Sequence, residues 1–353
     1  MHYKMQLHRK IILKSTSAFL LLIFLAGCAP GRNNETFSPS LLAEWSVGNE
    51  YHITWNSSSK MFLVYSHLNE NELNNVQAFD VETLEKTWVA KNKFPAASVF
   101  TRDGLQIIEV DSIDNTIKVR DTKQGNVIRD QNKNCDVGQF ILPSFDGKTF
   151  LMANETGTVG LNVSPNFYVS LFEMNTGECN ELFNSDGFLT LFDVNSTGNL
   201  IAAGDETVRI WDMLEQKEVC QIKDVRGYGQ FAPNQSAVAI SLYQKIVFFD
   251  TSNCSKIREI VVGDISPGYL RFSPNGQLLA IAEPTIQKSI LVMETATGKI
   301  VFQLPIPESS TITRFGGSDS LTFSPDGRYL LLAFSTNGND EFAGKVRLWQ
   351  IQK

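Results

Sequence analysis

The stretch Phe323-Ser324-Pro325-Asp326-Gly327-Arg328-Tyr329-Leu330, followed downstream by Val346-Arg347-Leu348-Trp349, decides the fold of this chain. Weaker copies recur along the 353 residues at spacings of roughly 37 to 51 residues. Pro or Asn followed by Gly is typical of a tight turn that joins two antiparallel strands. The repetition therefore predicts an array of similar β-sheet units.

Seven copies of this turn can be aligned, and an apolar strand follows each of them. The turns span residues 55–59, 100–104, 143–147, 194–198, 231–235, 272–276 and 323–327. Another strand lies downstream of each copy and ends in a bulky residue followed by an acid or a near-substitute: Phe79-Asp80, Arg120-Asp121, Phe172-Glu173, Trp211-Asp212, Phe249-Asp250, Met293-Glu294 and Trp349-Gln350. The pattern predicts seven similar sheets.

These pairs resemble the Trp-Asp pairs of the WD-repeat family, and Thr207-Val208-Arg209-Ile210-Trp211-Asp212 is the best single match. The resemblance implies an all-β, seven-bladed β-propeller of four-stranded antiparallel blades. The Gly-His pair that the family carries before each blade is missing, since the chain has 4 His in all. We therefore expect a divergent propeller whose blades are held mainly by apolar packing between neighbouring sheets.

A second resemblance competes with the first. Residues 78–88 resemble the Ala-x-Asp-x-x-Thr-Gly-x-x-x-Trp motif of quinone-type (PQQ-like) propellers and their non-enzymatic lipoprotein relatives, and the Thr-Gly pairs at 176–177 and 297–298 echo it. Tol-system propellers of the periplasm also use Ser-Pro-Asp-Gly turns. The number of copies favours the WD-like form.

The N-terminus carries a separate signal. Four basic residues flank an apolar run at 18–25, which is shorter than the roughly 20 residues needed to span a bilayer. The run ends in Leu25-Ala26-Gly27-Cys28, which resembles the bacterial lipobox. The resemblance implies a signal peptide at 1–27 and a lipidated Cys28, whose several acyl chains would anchor the protein firmly. An ordinary secretory signal, or an uncleaved anchor with a chance Cys, is the alternative.

The rest of the chain divides into a tether and one domain. Residues 28–40 contain Pro, Gly and Asn without apolar periodicity and predict a flexible tether, and residues 41–353 form the predicted propeller. The last Trp strand has no outer strand after it. We expect residues 41–47 to supply that strand and close the ring, because closure removes open sheet edges.

The net charge of the chain limits the classes of partner that it is expected to bind. The chain carries −7, and without residues 1–27 the balance is 27 basic against 38 acidic side chains, or −11. A nucleic-acid partner is not expected, since phosphate contacts need a concentrated basic face.

Four cysteines remain besides Cys28: Cys135, Cys179, Cys220 and Cys254. Their predicted places on the repeat put no two of them side by side, so we expect free thiols, with one disulfide as the alternative. The chain lacks a Cys-x-x-Cys spacing, and no His lies near these residues in the sequence, which disfavours a metal site.

The sequence contains few of the residue patterns that are typical of catalytic sites. His52 and His67 are the only histidines after residue 27, which leaves a His-dependent triad few bases. The acids fall mostly in turns, where they accept hydrogen bonds from backbone N–H groups, and no Gly-rich phosphate loop leads from a strand into a helix. We therefore predict neither an enzyme nor a cofactor.

Function is expected where loops depart from the repeat. Long connections between middle strands at 66–75, 154–166 and 335–344 should share a face with the connections between blades. The candidate anchors and acidic rim of a partner-binding face are Arg226, Tyr228, Arg314, Phe315, Glu70, Glu72, Asp340 and Glu341. The alternative is that these loops differ in length and sequence without having a function.

The first hypothesis is a non-enzymatic, lipid-anchored scaffold, monomeric and exported to the cell membrane or outer membrane, which binds another protein of the cell envelope. The second is a propeller that binds or hydrolyses a small ligand or glycan through its central channel. The third is an envelope-assembly lipoprotein similar to the quinone-type relatives. An apolar patch on a face would favour protein recognition.

Overall fold

The computed structural model describes residues 39–67, 74–92, 95–111, 116–132, 140–143, 148–156, 166–187, 189, 191–195, 200–204, 206–234, 236–263, 267–283, 289–307, 310–311, 320–336 and 344–351. They lie in one compact unit, Phe37–Lys353, and form strands joined by turns. The predicted signal peptide at 1–27 and Cys28 lie outside the described residues.

The strands of the described residues are numbered in chain order. They are β1 Ser40–Val47, β2 Asn49–Trp55, β3 Met61–His67, β4 Asn74–Asp80, β5 Lys86–Asn92, β6 Pro95–Phe100, β7 Gln106–Asp111, β8 Thr116–Asp121, β9 Val127–Asn132, β10 Phe140–Pro143, β11 Thr149–Thr156, β12 Asn166–Glu173, β13 Cys179–Asp186, β14 Leu191–Val194, β15 Leu200–Gly204, β16 Thr207–Asp212, β17 Lys217–Lys223, β18 Gly229–Phe231, β19 Ala237–Leu242, β20 Lys245–Asp250, β21 Lys256–Val261, β22 Leu270–Phe272, β23 Leu278–Glu283, β24 Ser289–Glu294, β25 Ile300–Pro305, β26 Ser310–Thr311, β27 Leu321–Phe323, β28 Tyr329–Thr336 and β29 Gly344–Gln350.

The strands form antiparallel sheets in chain order, and the fold is an all-β propeller with four-stranded blades. The four-stranded sheets of the described residues are β2–β5, β6–β9, β10–β13, β14–β17, β18–β21 and β22–β25. A further sheet has the order β1-β29-β28-β26, and β27 also pairs with β28. In that sheet Trp45 of β1 lies opposite Val346 of β29, so segments from near both ends of the chain share one sheet.

Where the structure describes them, the predicted turns join the first and second strands of the sheets. Between β22 and β23, the Gly276 N–H donates to the Ser273 carbonyl at 2.8 Å, while Ser273 Oγ accepts from the Leu278 N–H at 2.9 Å. Gly276 has φ +70°, which favours glycine. The turn chemistry expected from the sequence is therefore confirmed at this sheet.

The bulky-acid pairs end the third strands, as predicted. Asp212 closes β16, and its Oδ1 accepts from the Leu214 N–H at 2.8 Å and from the Glu215 N–H at 3.0 Å. Asp250 closes β20 and accepts from the Ser252 N–H at 2.8 Å. These acids order the turn to the fourth strand.

Apolar clusters fill the spaces between neighbouring sheets. Phe248 of β20, Phe272 of β22 and Leu279 of β23 belong to one cluster. Trp55 and Phe62 of the β2–β5 sheet share another with Leu348 of β29. The expectation that apolar packing joins the sheets is confirmed.

Hydrogen bonds between outer strands and neighbouring sheets supplement this packing, and the sequence pattern did not predict them. Trp88 Nε1–H on β5 donates to the Thr122 carbonyl at 3.1 Å, Gln131 on β9 to the Met174 carbonyl at 3.0 Å, and Arg258 on β21 to the Thr295 carbonyl at 2.8 Å. Each acceptor immediately follows the acid of the next sheet.

A disulfide occupies the equivalent place between two other sheets. Cys220 of β17 and Cys254, in the turn after β20, are bonded with their Cα atoms 5.7 Å apart, and Cys179 is disulfide-bonded as well. The expectations of free thiols and of no adjacent pair are therefore wrong for these residues. The spacing of these cysteines along the sequence does not predict the bond, because the bond forms between two sheets rather than within one.

Arg120, which stands where the other copies carry an aromatic residue or Met, forms a buried ion pair. Its Nε lies 2.7 Å from Glu109 Oε1, and the two side chains are 8% and 1% exposed. Its Nη1 also donates to the Gly125 carbonyl at 2.7 Å. A charged side chain can occupy this buried position because Glu109, which carries the opposite charge, is buried beside it.

Candidate functional site

Two of the predicted binding residues, Arg226 and Tyr228, lie among the described residues. They belong to the connection from β17 to β18. The other candidates lie outside the described residues: Cys28, Glu70, Glu72, Arg314, Phe315, Asp340 and Glu341.

Tyr228 is held at the start of β18 by backbone contacts. Its carbonyl accepts from Ser241 N–H at 2.7 Å and from Ser241 Oγ at 2.9 Å. A Cβ on the preceding Gly227 would lie 1.9 Å from the Ser241 carbonyl oxygen, so only glycine allows this approach. Gly227 therefore allows the close backbone contact with Ser241 that positions Tyr228.

The Tyr228 ring packs on a tyrosine of the next sheet. The centroids of Tyr228 and Tyr269 are 4.5 Å apart, and Tyr269, just before β22, is buried. Its carbonyl accepts from the Ala282 N–H at 2.9 Å, which repeats the arrangement of Tyr228 and Ser241. The two rings therefore form an aromatic contact between neighbouring sheets, in which Tyr269 is buried and Tyr228 is partly buried.

Arg226 lies at the more exposed edge of the same connection. Its Nη2 is 2.9 Å from Glu206 Oε1, and both side chains are largely exposed. The Val225 N–H donates to the Glu206 carbonyl at 3.0 Å, which places the connection beside the β15–β16 hairpin. An exposed pair of this kind is worth only about 0–1 kcal/mol, so a partner could rearrange it at little cost.

Two exposed apolar residues lie at this end of the β18–β21 sheet. Tyr243 forms the tip of the β19–β20 hairpin and is 73% exposed, and Val261 at the end of β21 is 72% exposed. Val261 pairs with Lys245, and the Val262 N–H donates to the Gln244 carbonyl at 2.9 Å, so the hairpin and the end of β21 are adjacent. We call Glu206, Arg226, Tyr228, Tyr243 and Val261 the Tyr228 face.

The sequence pattern did not single out Tyr243 and Val261. A tyrosine at the tip of a two-residue hairpin was the available signal, because such tips usually carry Gly, Asn or Asp. The long connections predicted at 66–75, 154–166 and 335–344 lie largely outside the described residues. In the β18–β21 sheet, the hairpin between the middle strands lies at the same end as the connection that enters the sheet.

Charged side chains lie along β20 and β21, and one of them, Lys245, pairs with Val261 of the apolar pair. Glu259 Oε2 lies 2.8 Å from Lys256 Nζ and 3.5 Å from Lys245 Nζ. The hydrogen bond from Lys256, with the charges of Lys245 and Lys256, holds the pKa of Glu259 below its usual value. An exposed apolar centre with a charged border is the arrangement found at protein-binding surfaces.

Among the residues that the structure describes, neither a metal cluster nor a membrane-spanning helix accompanies this face. In the described part of the chain, no group of three His, Cys, Asp or Glu side chains is placed to hold a metal ion. Nor do these residues include a helix with the length and apolar character that crossing a membrane requires.

Comparisons with known proteins support the fold. No protein-family model matches the chain. Hydrazine synthase subunit beta of Kuenenia stuttgartiensis is 29% identical over 101 residues, which are 28% of this chain and 25% of that protein, so the match spans a quarter of the relative's length. Among solved structures, a chain in the crystal structure of a mitotic checkpoint complex matches with a TM-score of 0.66 and 13% identity, covering 98% of this chain and 100% of that one. This similarity shows a WD-repeat-like β-propeller fold.

Proposed function

We propose that this chain is a non-enzymatic, membrane-anchored propeller that acts, as a monomer, as a protein-binding scaffold in the bacterial cell envelope. The observation that carries the proposal is the exposed pair Tyr243 and Val261, at the same end of the sheets as the exposed Arg226–Glu206 ion pair. Aromatic and Arg side chains are the residues that most often anchor protein interfaces. The structural neighbour, itself a chain of a protein complex, agrees with such a role.

A ring of seven blades, closed by β1, is part of the proposal. It is supported by the pairing of β1 with β29 and by two contacts between the sheet that contains them and the β2–β5 sheet. The Asp326 N–H donates to Ser59 Oγ at 3.0 Å across 267 residues of sequence, and Trp45 Nε1–H donates to the Leu84 carbonyl at 3.3 Å. A closed ring would give the binding face a rigid base.

Export from the cytoplasm is supported by the cysteines. The Cys220–Cys254 bond and the disulfide-bonded Cys179 are arrangements that persist in oxidising compartments and are rare in the cytosol. This support is independent of the lipobox resemblance at 25–28.

Attachment through lipid on Cys28 is tested by fractionation of the producing cells. The Cys28→Ser variant should leave the membrane pellet for the soluble fraction, because removal of all acyl chains removes the anchor. A variant that combines Cys28→Ser with Ser57→Cys keeps the number of cysteines unchanged, and it controls for an effect of cysteine number alone. Continued partition of Cys28→Ser into the detergent phase would overturn the lipid anchor.

Partner binding is tested by co-purification from detergent-solubilised native membranes. A Tyr243→Ala,Val261→Ser variant should lose, by about tenfold or more, a protein that the wild type retains, because truncating interface anchors costs about 2 kcal/mol or more. Leu214→Ala, at the opposite end of the neighbouring sheet and 75% exposed, is the matched control. Equal recovery with both variants would remove the Tyr228 face from the proposal.

A further inference from the structure

A pocket of about 260 Å³ lies between the β18–β21 and β22–β25 sheets, at the end opposite to the Tyr228 face. Its walls come from the first turn of each sheet and from β21, and they include Ala232, Ala237, Phe248, Arg258 and Phe272. Its volume is just below the roughly 300 Å³ at which pockets for drug-sized molecules begin. It therefore suits a group of amino-acid size.

Two alanines open this space at positions where the other copies carry larger residues. The residue equivalent to Ala232, which follows the last residue of the first strand, is Asn56, Thr101, Ser144, Asn195, Ser273 or Ser324 elsewhere. The residue equivalent to Ala237, which pairs with the acid of the third strand, is Met61, Gln106, Thr149, Leu200, Leu278 or Tyr329. The two small residues are thus a feature of this sheet and not of the repeat in general.

The first of these substitutions also removes a hydrogen-bond acceptor. In the equivalent turns, Thr101 Oγ1 accepts from the Gln106 N–H at 3.0 Å, Ser273 Oγ from the Leu278 N–H at 2.9 Å, and Ser324 Oγ from the Tyr329 N–H at 3.0 Å. The methyl group of Ala232 cannot accept the corresponding bond from the N–H of Ala237. The side-chain oxygen that these other turns place beside the equivalent N–H is therefore missing next to the pocket.

The pocket also contains a cation. Arg258 lies over the Phe248 ring, with Cζ 3.9 Å from the centroid, and its Nη2 donates to the neutral Thr295 carbonyl at 2.8 Å. Within the described residues, Arg258 makes no ion pair with a carboxylate. Partial burial lowers the pKa of Arg258 from its usual value.

We propose that this pocket binds a carboxylate carried on a short apolar group. The carboxylate accepts hydrogen bonds from the Arg258 guanidinium and from the N–H of Ala237. The apolar group fills the volume that Ala232 and Ala237 leave open, against Phe272. Such a carboxylate occurs on small free acids and at the C-terminal residue of a peptide chain.

The test uses ligand-observed NMR on the intact protein with four probes. These are 4-methylpentanoate, acetyl-Gly-Gly-Leu with a free carboxylate, and the two corresponding amides. Saturable binding of at least one acid is expected, with a dissociation constant on the order of 1 mM, and its amide should bind at least about tenfold more weakly. Binding of 4-methylpentanoate alone assigns a small free acid, and binding of the peptide acid assigns a chain terminus.

Variants that introduce residues from the other copies locate the binding. Ala237→Leu introduces the residue of the β22–β25 sheet and should abolish binding by filling the pocket. Ala232→Ser restores the missing hydroxyl and should weaken binding without a large change in volume. Arg258→Met removes the cation and should weaken binding about tenfold or more. Arg129→Met, an exposed position on β9 of another sheet, is the matched control and should bind as the wild type does.

Three results would overturn the proposal: no saturable binding of either acid, equal binding of acid and amide, or wild-type affinity in folded Ala237→Leu. If Ala237→Leu does not fold, Ala232→Ser and Arg258→Met decide in its place. Wild-type affinity in both of them would also overturn the proposal.

Discussion

The indole Nε1–H of Trp45 donates a hydrogen bond to the carbonyl oxygen of Leu84 at 3.3 Å. Trp45 lies on β1, and Leu84 lies in the turn after the third strand of the β2–β5 sheet. Trp88 of that sheet makes the same kind of contact with the Thr122 carbonyl of the next sheet. β1 therefore behaves as an outer strand towards its neighbour.

Trp45→Ala should destabilise the protein by about 2–3 kcal/mol. The indole packs against Phe62 and Phe79, with centroids 5.4 and 5.1 Å apart, but it is only partly buried, so the loss should fall below the full cost of a core Trp-to-Ala change. Urea unfolding measures the change.

Leu41→Ala is the control for Trp45→Ala because Leu41 lies on the same strand and is exposed. Its effect should stay within about 0.5 kcal/mol. If both variants unfold at the same urea concentration, β1 does not brace the neighbouring sheet.

Replacing both Cys220 and Cys254 by Ser should cost about 3–4 kcal/mol. The bond closes a loop with a sequence separation of 34, and chain entropy in the unfolded state accounts for this magnitude. Thermal unfolding without reductant measures the effect. An unchanged melting temperature in the double variant would contradict the inter-sheet link.

Glu109→Gln should cost about 3–5 kcal/mol, since it leaves the buried Arg120 charge without its partner. Glu218→Gln is the matched control: Glu218 pairs with Arg209 at 2.7 Å, but the two side chains are partly exposed. That change should cost less than about 1 kcal/mol. Equal losses in urea unfolding would show that burial does not set the strength of the Glu109–Arg120 pair.

Short-range patterns were predictable from the sequence. Ser273 to Gly276 form the expected turn because the bonds lie within a few residues. Asp212 ends its strand because its side chain accepts from the N–H groups two and three residues further on. The fold class follows from repetition of such local units.

Contacts between sheets could not be predicted in the same way. Cys220 meets Cys254 because the outer strand of one sheet lies against a turn of the next, a relationship that spacing along the chain does not encode. Tyr243 was missed for a related reason. Its exposure depends on where the β19–β20 hairpin projects, whereas Arg226 and Tyr228 were found because they fall in a connection that the repeat leaves variable.

Site-specific photo-crosslinking in native membranes tests the protein-binding role most directly. A photoreactive residue at Tyr243 or Val261 should yield a discrete adduct with an envelope protein, because these side chains project from the Tyr228 face. The same residue at Leu214 or Leu105, exposed at the opposite end of their sheets, should yield none. Adducts of equal yield at all four positions, or at Leu214 and Leu105 alone, would contradict the account.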